Sequence, residues 1–143
     1  MMYLLGWGMA SCPDPDNNPE CTGGASPEVL QEIQLPVAPQ ARCKEAAANF
    51  GTNLDTSEFC YGGNLGFGGC MGDSGSPLMA TLERGGRTQY SLAGSVCCGI
   101  RLEGGCGNEG NYGLAWETAK YLDWYTRIVG DGGQGDQVLW CNK

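Results

Sequence analysis

Ser74 stands in the run Cys70-Met71-Gly72-Asp73-Ser74-Gly75-Ser76-Pro77-Leu78, where residue types and spacing point to nucleophilic chemistry. Glycines on both sides of the serine let the backbone turn tightly, so that a hydroxyl and nearby amide groups can face one place. A nucleophile beside an oxyanion-stabilising pocket needs that geometry, although a plain Gly-Ser surface turn has the same composition. The chain contains no histidine. That removes the usual general base and the commonest zinc ligand, so any hydrolytic mechanism drawn from these residues alone is incomplete.

Other patterns carry less chemistry. Asp14, Asp16, Asn18 and Glu20 alternate oxygen ligands as a calcium loop does, but Pro19 stands where an EF-hand needs glycine and Ala25 where it needs its bidentate glutamate. Gly105, Gly107 and Gly110 satisfy a dinucleotide fingerprint, yet they follow no clear strand and flank Cys106. There is no P-loop, and Ser76 breaks the G-x-S-x-G elbow of α/β-hydrolases, which also need a downstream histidine. The expectation is therefore a protein with no cofactor and no metal. Nine cysteines, none in a CxxC pair, read as disulfides formed in an oxidising compartment, which implies a secreted, extracellular setting.

Sixteen acidic against 8 basic residues give a net charge of -8, which repels phosphate backbones and anionic lipid and argues against nucleic-acid or membrane partners. No stretch approaches the roughly 20 apolar residues of a membrane span. The opening residues carry no positive side chain before Arg42 and read as a strand rather than an export signal.

The elements that must position Ser74 are short. A length of 143 residues fits one domain, and 41% hydrophobic residues with 4 Trp, 6 Tyr and 3 Phe can supply its core. Apolar runs punctuated by Gly, Pro and Asn predict strands over residues 3–7, 30–37, 58–61, 77–82, 89–97 and 113–116, hence an all-β fold. Two helices interrupt them. Residues 42–50 hold good helix formers with Gly51 as a stop, and residues 118–129 place Tyr121, Leu122, Tyr125 and Ile128 at helical spacing before Gly130. Residues 131–143 read as a tail.

These residues resemble the trypsin and chymotrypsin family of serine endopeptidases, whose nucleophile motif is GDSGGP with Cys-x-Gly before the Asp. In the family's order the chain also presents Gly6-Trp7-Gly8, the run from Leu30 to Val37 leading to Cys43, Phe59-Cys60, Leu92-Ala93-Gly94 and Tyr121-Leu122-Asp123-Trp124. The resemblance covers almost all of residues 1–129 but only the second of the family's two β-barrels; the half with the family's catalytic His and Asp is absent. It implies a six-stranded antiparallel Greek-key barrel with a C-terminal α-helix, spanning residues 1–130.

Carried over residue by residue, the resemblance makes Ser74 the nucleophile and the N–H groups of Gly72 and Ser74 the oxyanion hole. Asp73 matches the carboxylate that pairs with the new amino terminus after zymogen cleavage, and Ser76 replaces a family glycine. Gly68, beside Gly69, falls at the floor of the specificity pocket, where trypsin-like members have Asp, so no preference for Lys or Arg is implied. Gly99 and Gly113 match the wall glycines that leave the slot open to a large apolar or aromatic side chain. Cys97 and Cys98 replace the Ser and Trp that line the family's substrate cleft.

Family bridges map onto Cys43 with Cys60 and Cys70 with Cys106, while a third would join positions 2 and 80, here Met and Ala. Cys12 and Cys21 enclose a Pro-rich acidic loop and are expected to pair locally, leaving Cys97, Cys98 and Cys141 as an odd set. The implied function is peptide-bond hydrolysis by acyl transfer through Ser74 once a His- and Asp-bearing half completes the site, with a peptide or protein substrate. The chain alone is expected to be inactive. The alternative is a non-catalytic protease-like binding module.

Overall fold

The punctuated apolar runs form six strands in the computed structural model, which describes residues 1–11, 23–64, 66, 68–100 and 106–130. The strands are β1 (Met2–Gly6), β2 (Gln31–Leu35), β3 (Glu58–Gly62), β4 (Pro77–Arg84), β5 (Arg87–Ile100) and β6 (Tyr112–Glu117). They lie in the order β2-β1-β4-β5-β6-β3, and every neighbouring pair is antiparallel. The edges of this sheet meet. Val37 bridges to Tyr61, Ala38 donates its N–H to the Cys60 carbonyl (2.9 Å), and Gly62 donates to the Pro36 carbonyl (3.0 Å). The sheet is thereby rolled into the antiparallel barrel that the family resemblance implies, with β3 returning to lie beside the β4-β5-β6 meander in Greek-key fashion.

Alternation decides which side chains fill the barrel. Along β1, Met2 and Leu4 point inward between half-exposed neighbours, as the two-residue period of a strand requires. They meet Leu35, Tyr61, Leu78, Val96 and Ala115 in one core cluster. Met2 and Ala80 face each other across β1 and β4. That places an apolar contact at the position where the family resemblance puts a disulfide.

A second cluster lies under α1 (Gln40–Asn49), whose Cys43, Ala46 and Ala47 share one face at helical spacing and pack on Ala38, Cys60, Ile100 and Leu114. The helix starts two residues before the expected position, directly after Pro39, whose fixed φ suits a helix start. It stops where Gly51 takes φ 78° and Thr52 donates back to the Ala47 carbonyl (2.9 Å), the left-handed ending for which glycine is suited.

Cys43 and Cys60, both fully buried, are joined by a disulfide that ties α1 to β3 with a sequence separation of 17. Replacing both by alanine is expected to cost about 3 kcal/mol through the freed loop, with further loss from lost packing. Chemical unfolding of the double variant against the parent measures it.

The C-terminal run is helical but changes pitch. A 3-10 turn (Thr118–Tyr121) passes into α2 (Leu122–Tyr125) and then a π turn (Thr126–Gly130). The expected single helix is not held uniform because its apolar face lacks a cover among the described residues: Leu122, Tyr125 and Ile128 are all exposed. Without packing, a short helix is marginal, and Thr126 Oγ1 donates to the Leu122 carbonyl (2.8 Å), a contact that bends helices. Among the described residues no helix is long and apolar enough to cross a membrane. The expected tail, the Cys12–Cys21 pair, the acidic loop at 14–20 and Cys141 lie outside the described residues.

Candidate active site

Ser74 sits between two consecutive tight turns that lead into β4. In the first, Asp73 donates its N–H to the Cys70 carbonyl (3.0 Å), with Gly72 third in the turn at φ 93°. In the second, Ser76 donates to the Asp73 carbonyl (2.9 Å), with Gly75 third at φ 85°. A positive φ at the third residue is what a type II turn demands, so each glycine is needed by its turn. The pair is docked on both sides. Met9 donates to the Met71 carbonyl (2.8 Å), and Gly75 donates to the Val96 carbonyl on β5 (2.8 Å). The amides of Gly72 and Ser74, on either side of the engaged Asp73 amide, have no backbone acceptor among the described residues.

Asp73 faces the other way. Its side chain is buried at 8% exposure, and it accepts the N–H of Gly8 on Oδ1 and of Cys70 on Oδ2, both at 2.8 Å. A Cβ on Gly6 or Gly8 would collide with this carboxylate, which explains two of the three residues in Gly6-Trp7-Gly8. The carboxylate also borders a separate cavity of about 330 Å³ lined by Leu4, Gly6, Gly8, Met9 and Gln31, among others.

Ser74 opens onto a cavity of about 190 Å³. Of the residues singled out from sequence, Gly68, Gly69, Gly72, Cys98, Gly99, Gly113 and the Cys70–Cys106 disulfide line it with Ser74. None of the described lining residues is acidic. Tyr61, Met71, Val96, Asn111 and Tyr112 also line it and were not foreseen. Tyr61 carried no chemical signal beyond its place in a strand; burial, and then the charge of Asp73, push its hydroxyl above the usual phenol range.

Tyr61 also explains Gly113. A Cβ there would run into the Tyr61 ring, whereas one on Gly99 would only reach ordinary contact with the Tyr112 carbonyl (3.4 Å). Gly113→Ala is therefore expected to destabilise by about 1–3 kcal/mol through overpacking, with Gly99→Ala nearly neutral. Urea unfolding of the two variants separates packing from mere cavity lining.

Cys97 does not line the cavity. It is the extra residue of a β-bulge, since Val96 pairs with Ala115 and Cys98 with Leu114. Both Cys97 and Cys98 are free thiols, with their sulfurs 2.9 Å apart, and Cys97 Sγ lies 3.8 Å from Glu58 Oε1. Burial raises the Cys97 pKa above the usual thiol range, followed by the hydrogen bond to Cys98 and electrostatic repulsion from the neighbouring Cys98 and Glu58 side chains.

A barrel with a serine between two glycine turns, a braced cavity and a buried aspartate behind it matches a known class. The trypsin family model matches residues 2–125. The chain is 32% identical over 123 residues to Spaetzle-processing enzyme of Drosophila melanogaster, covering 86% of this chain and 27% of that protein. It is 36% identical over 133 residues to Serine protease filzig of the same organism, covering 91% of this chain and 7% of that protein. It is 32% identical over 123 residues to Phenoloxidase-activating factor 1 of Holotrichia diomphalia, covering 86% and 29%. The chain belongs to the trypsin family, and its fold is that of a trypsin-like serine protease domain. It spans less than a third of the length of these curated relatives.

Proposed function

We propose that this chain is the nucleophile-bearing barrel, residues 1–130, of an extracellular serine endopeptidase, and that it is inactive until a His- and Asp-bearing barrel completes it. The observation that carries the reading is that Ser74 and the turn amides of Gly72 and Ser74 border one cavity whose described lining holds no acidic residue. In the completed site, the partner's histidine takes the Ser74 proton as the hydroxyl attacks the substrate carbonyl. The two N–H groups hold the developing oxyanion, and water later releases the acyl group from Ser74. The slot between Gly68, Gly69, Gly99 and Gly113 takes an apolar side chain rather than Lys or Arg, since its described lining offers no carboxylate to pair with a cation.

Several features support the rest of this reading. The cavity beside Asp73 has room for an incoming amino terminus, whose charge the carboxylate would meet. Trp7, Met71 and Trp124 are about half exposed, at 55%, 48% and 49%, which suits a surface that a second barrel covers. The Cys43–Cys60 and Cys70–Cys106 disulfides suit an oxidising compartment. Against the enzyme stands Cys98 where the family has Trp. That favours a second reading, a non-catalytic binding module.

A fluorophosphonate probe decides between them. The longest natural form of the protein is expected to be labelled at Ser74, and the Ser74→Ala variant and the 143-residue chain alone are not. Absence of label on a folded long form whose amino terminus has been freed by cleavage would favour the binding module instead.

A further inference from the structure

The side chains of Glu58 on β3 and of Cys97 and Cys98 on β5 converge, and none of the three takes part in the proposed steps at Ser74. Their ligand atoms all lie within 4.8 Å of one another. In a regular strand, adjacent residues point to opposite faces; the bulge at Cys97 cancels that alternation and turns both thiols to one side. Glu58 is already oriented. Its Oε2 accepts the Asp55 N–H (2.9 Å), so Oε1 is left toward Cys97.

We propose that these three residues bind a thiophilic divalent cation, Zn²⁺, at the wall of the Ser74 cavity that Cys98 lines, with water in the fourth position. Thiolate sulfur and carboxylate oxygen are both zinc ligands, and three protein ligands plus water is a recognised zinc coordination. Bonds of about 2.3 Å to sulfur and 2.1 Å to oxygen at tetrahedral angles separate a sulfur from an oxygen by roughly 3.6 Å and two sulfurs by roughly 3.8 Å. Cys97 and Glu58, at 3.8 Å, already stand at nearly that spacing. The two sulfurs, at 2.9 Å, need to open by under roughly 1 Å, which a rotation of the exposed Cys98 side chain provides. Binding is a simple exchange: the ion enters, each thiol releases one proton to solvent, and nothing is oxidised or reduced.

The competing fate of two adjacent thiols is a disulfide with each other. It is disfavoured by the backbone, because neighbouring Cα atoms are about 3.8 Å apart while disulfides usually span about 4.4–6.8 Å. The proposal is independent of whether Ser74 is catalytic, since it concerns binding alone.

The test is calorimetric titration of the 143-residue chain with Zn²⁺, and absorption titration with Cd²⁺ to read the sulfur-to-metal charge-transfer band. One ion per chain and a sulfur band are expected. Loss of an outer-shell partner typically weakens metal sites 10–100-fold; Cys97→Ser and Cys98→Ser, which remove ligands, are expected to weaken binding by at least about 100-fold, and Glu58→Gln by about 10–100-fold. Because Cys98 is exposed, Cys98→Ser should leave the metal-free unfolding midpoint unchanged, which separates loss of the site from loss of the fold. Failure to bind one ion, uptake that Cys98→Ser does not change, or Cys97 and Cys98 found oxidised in the chain purified without reductant would each overturn the proposal.

Discussion

Replacing Asp73 by alanine is expected to lower the unfolding free energy by on the order of 3 kcal/mol, because it orphans two backbone amides at about 1–3 kcal/mol each. Both oxygens of this carboxylate are used, one by Gly8 beyond the end of β1 and one by Cys70 at the start of the turn before Ser74. Gly8 and Asp73 are buried, so only water from the adjoining cavity can take over part of this bonding. Against a typical domain stability of about 5–15 kcal/mol, this is a large share. Asn at the same position keeps one acceptor oxygen but turns an NH₂ group toward the other donor, so it should lose an intermediate amount. Urea denaturation of parent, Asp73→Asn and Asp73→Ala gives the order directly. An alanine variant within about 0.5 kcal/mol of the parent, the range of a neutral surface change, would refute the tie between β1 and the Ser74 turn.

That tie makes Asp73 a fastener as well as the neighbour of Ser74. Its backbone closes both turns, donating to Cys70 and accepting from Ser76, while its carboxylate reaches back to β1. Ser74 is thus positioned by β1, β4 and β5 together, with the Cys70–Cys106 bridge holding the outer loop. A single glycine-flanked serine in a free loop would have none of these anchors.

How much of this can be read from the chain depends on the range of the interaction. Strand alternation and turn residues are local, so six strands were expected within a few residues of where they lie, and Gly51 marked the end of α1. The resemblance to the trypsin family added the long-range order, including the facing of positions 2 and 80. What remained hidden was set by contacts between distant residues. Tyr61 has no pattern that announces a ring stacked on Gly113. The bulge at Cys97 shifts one register position, and nothing in Ser95-Val96-Cys97-Cys98-Gly99 marks it. Glu58 comes 39 residues before Cys97, so no spacing rule for metal sites joins them. The C-terminal helix has the right period, yet its pitch depends on a cover that the sequence does not describe.

Acylation of Ser74 in the completed protease is expected to run on the order of 10⁴–10⁶ times faster than in this chain by itself, the range lost when serine proteases are stripped of triad members. At about 1.36 kcal/mol per factor of ten, that amounts to roughly 5–8 kcal/mol of barrier. The hydroxyl of Ser74 is exposed, and the chain has no histidine to take its proton. On the proposed reading the barrel supplies the smaller, static part of catalysis: two turn amides without a backbone acceptor among the described residues, and a slot of about 190 Å³. Slow residual acylation of the isolated chain by an activated ester, abolished in Ser74→Ala, would therefore agree with a preformed oxyanion site lacking its base. Equal rates for the long form and the isolated chain, measured by probe labelling over time, would mean that the second barrel contributes no base and that Ser74 is not the nucleophile of a working triad.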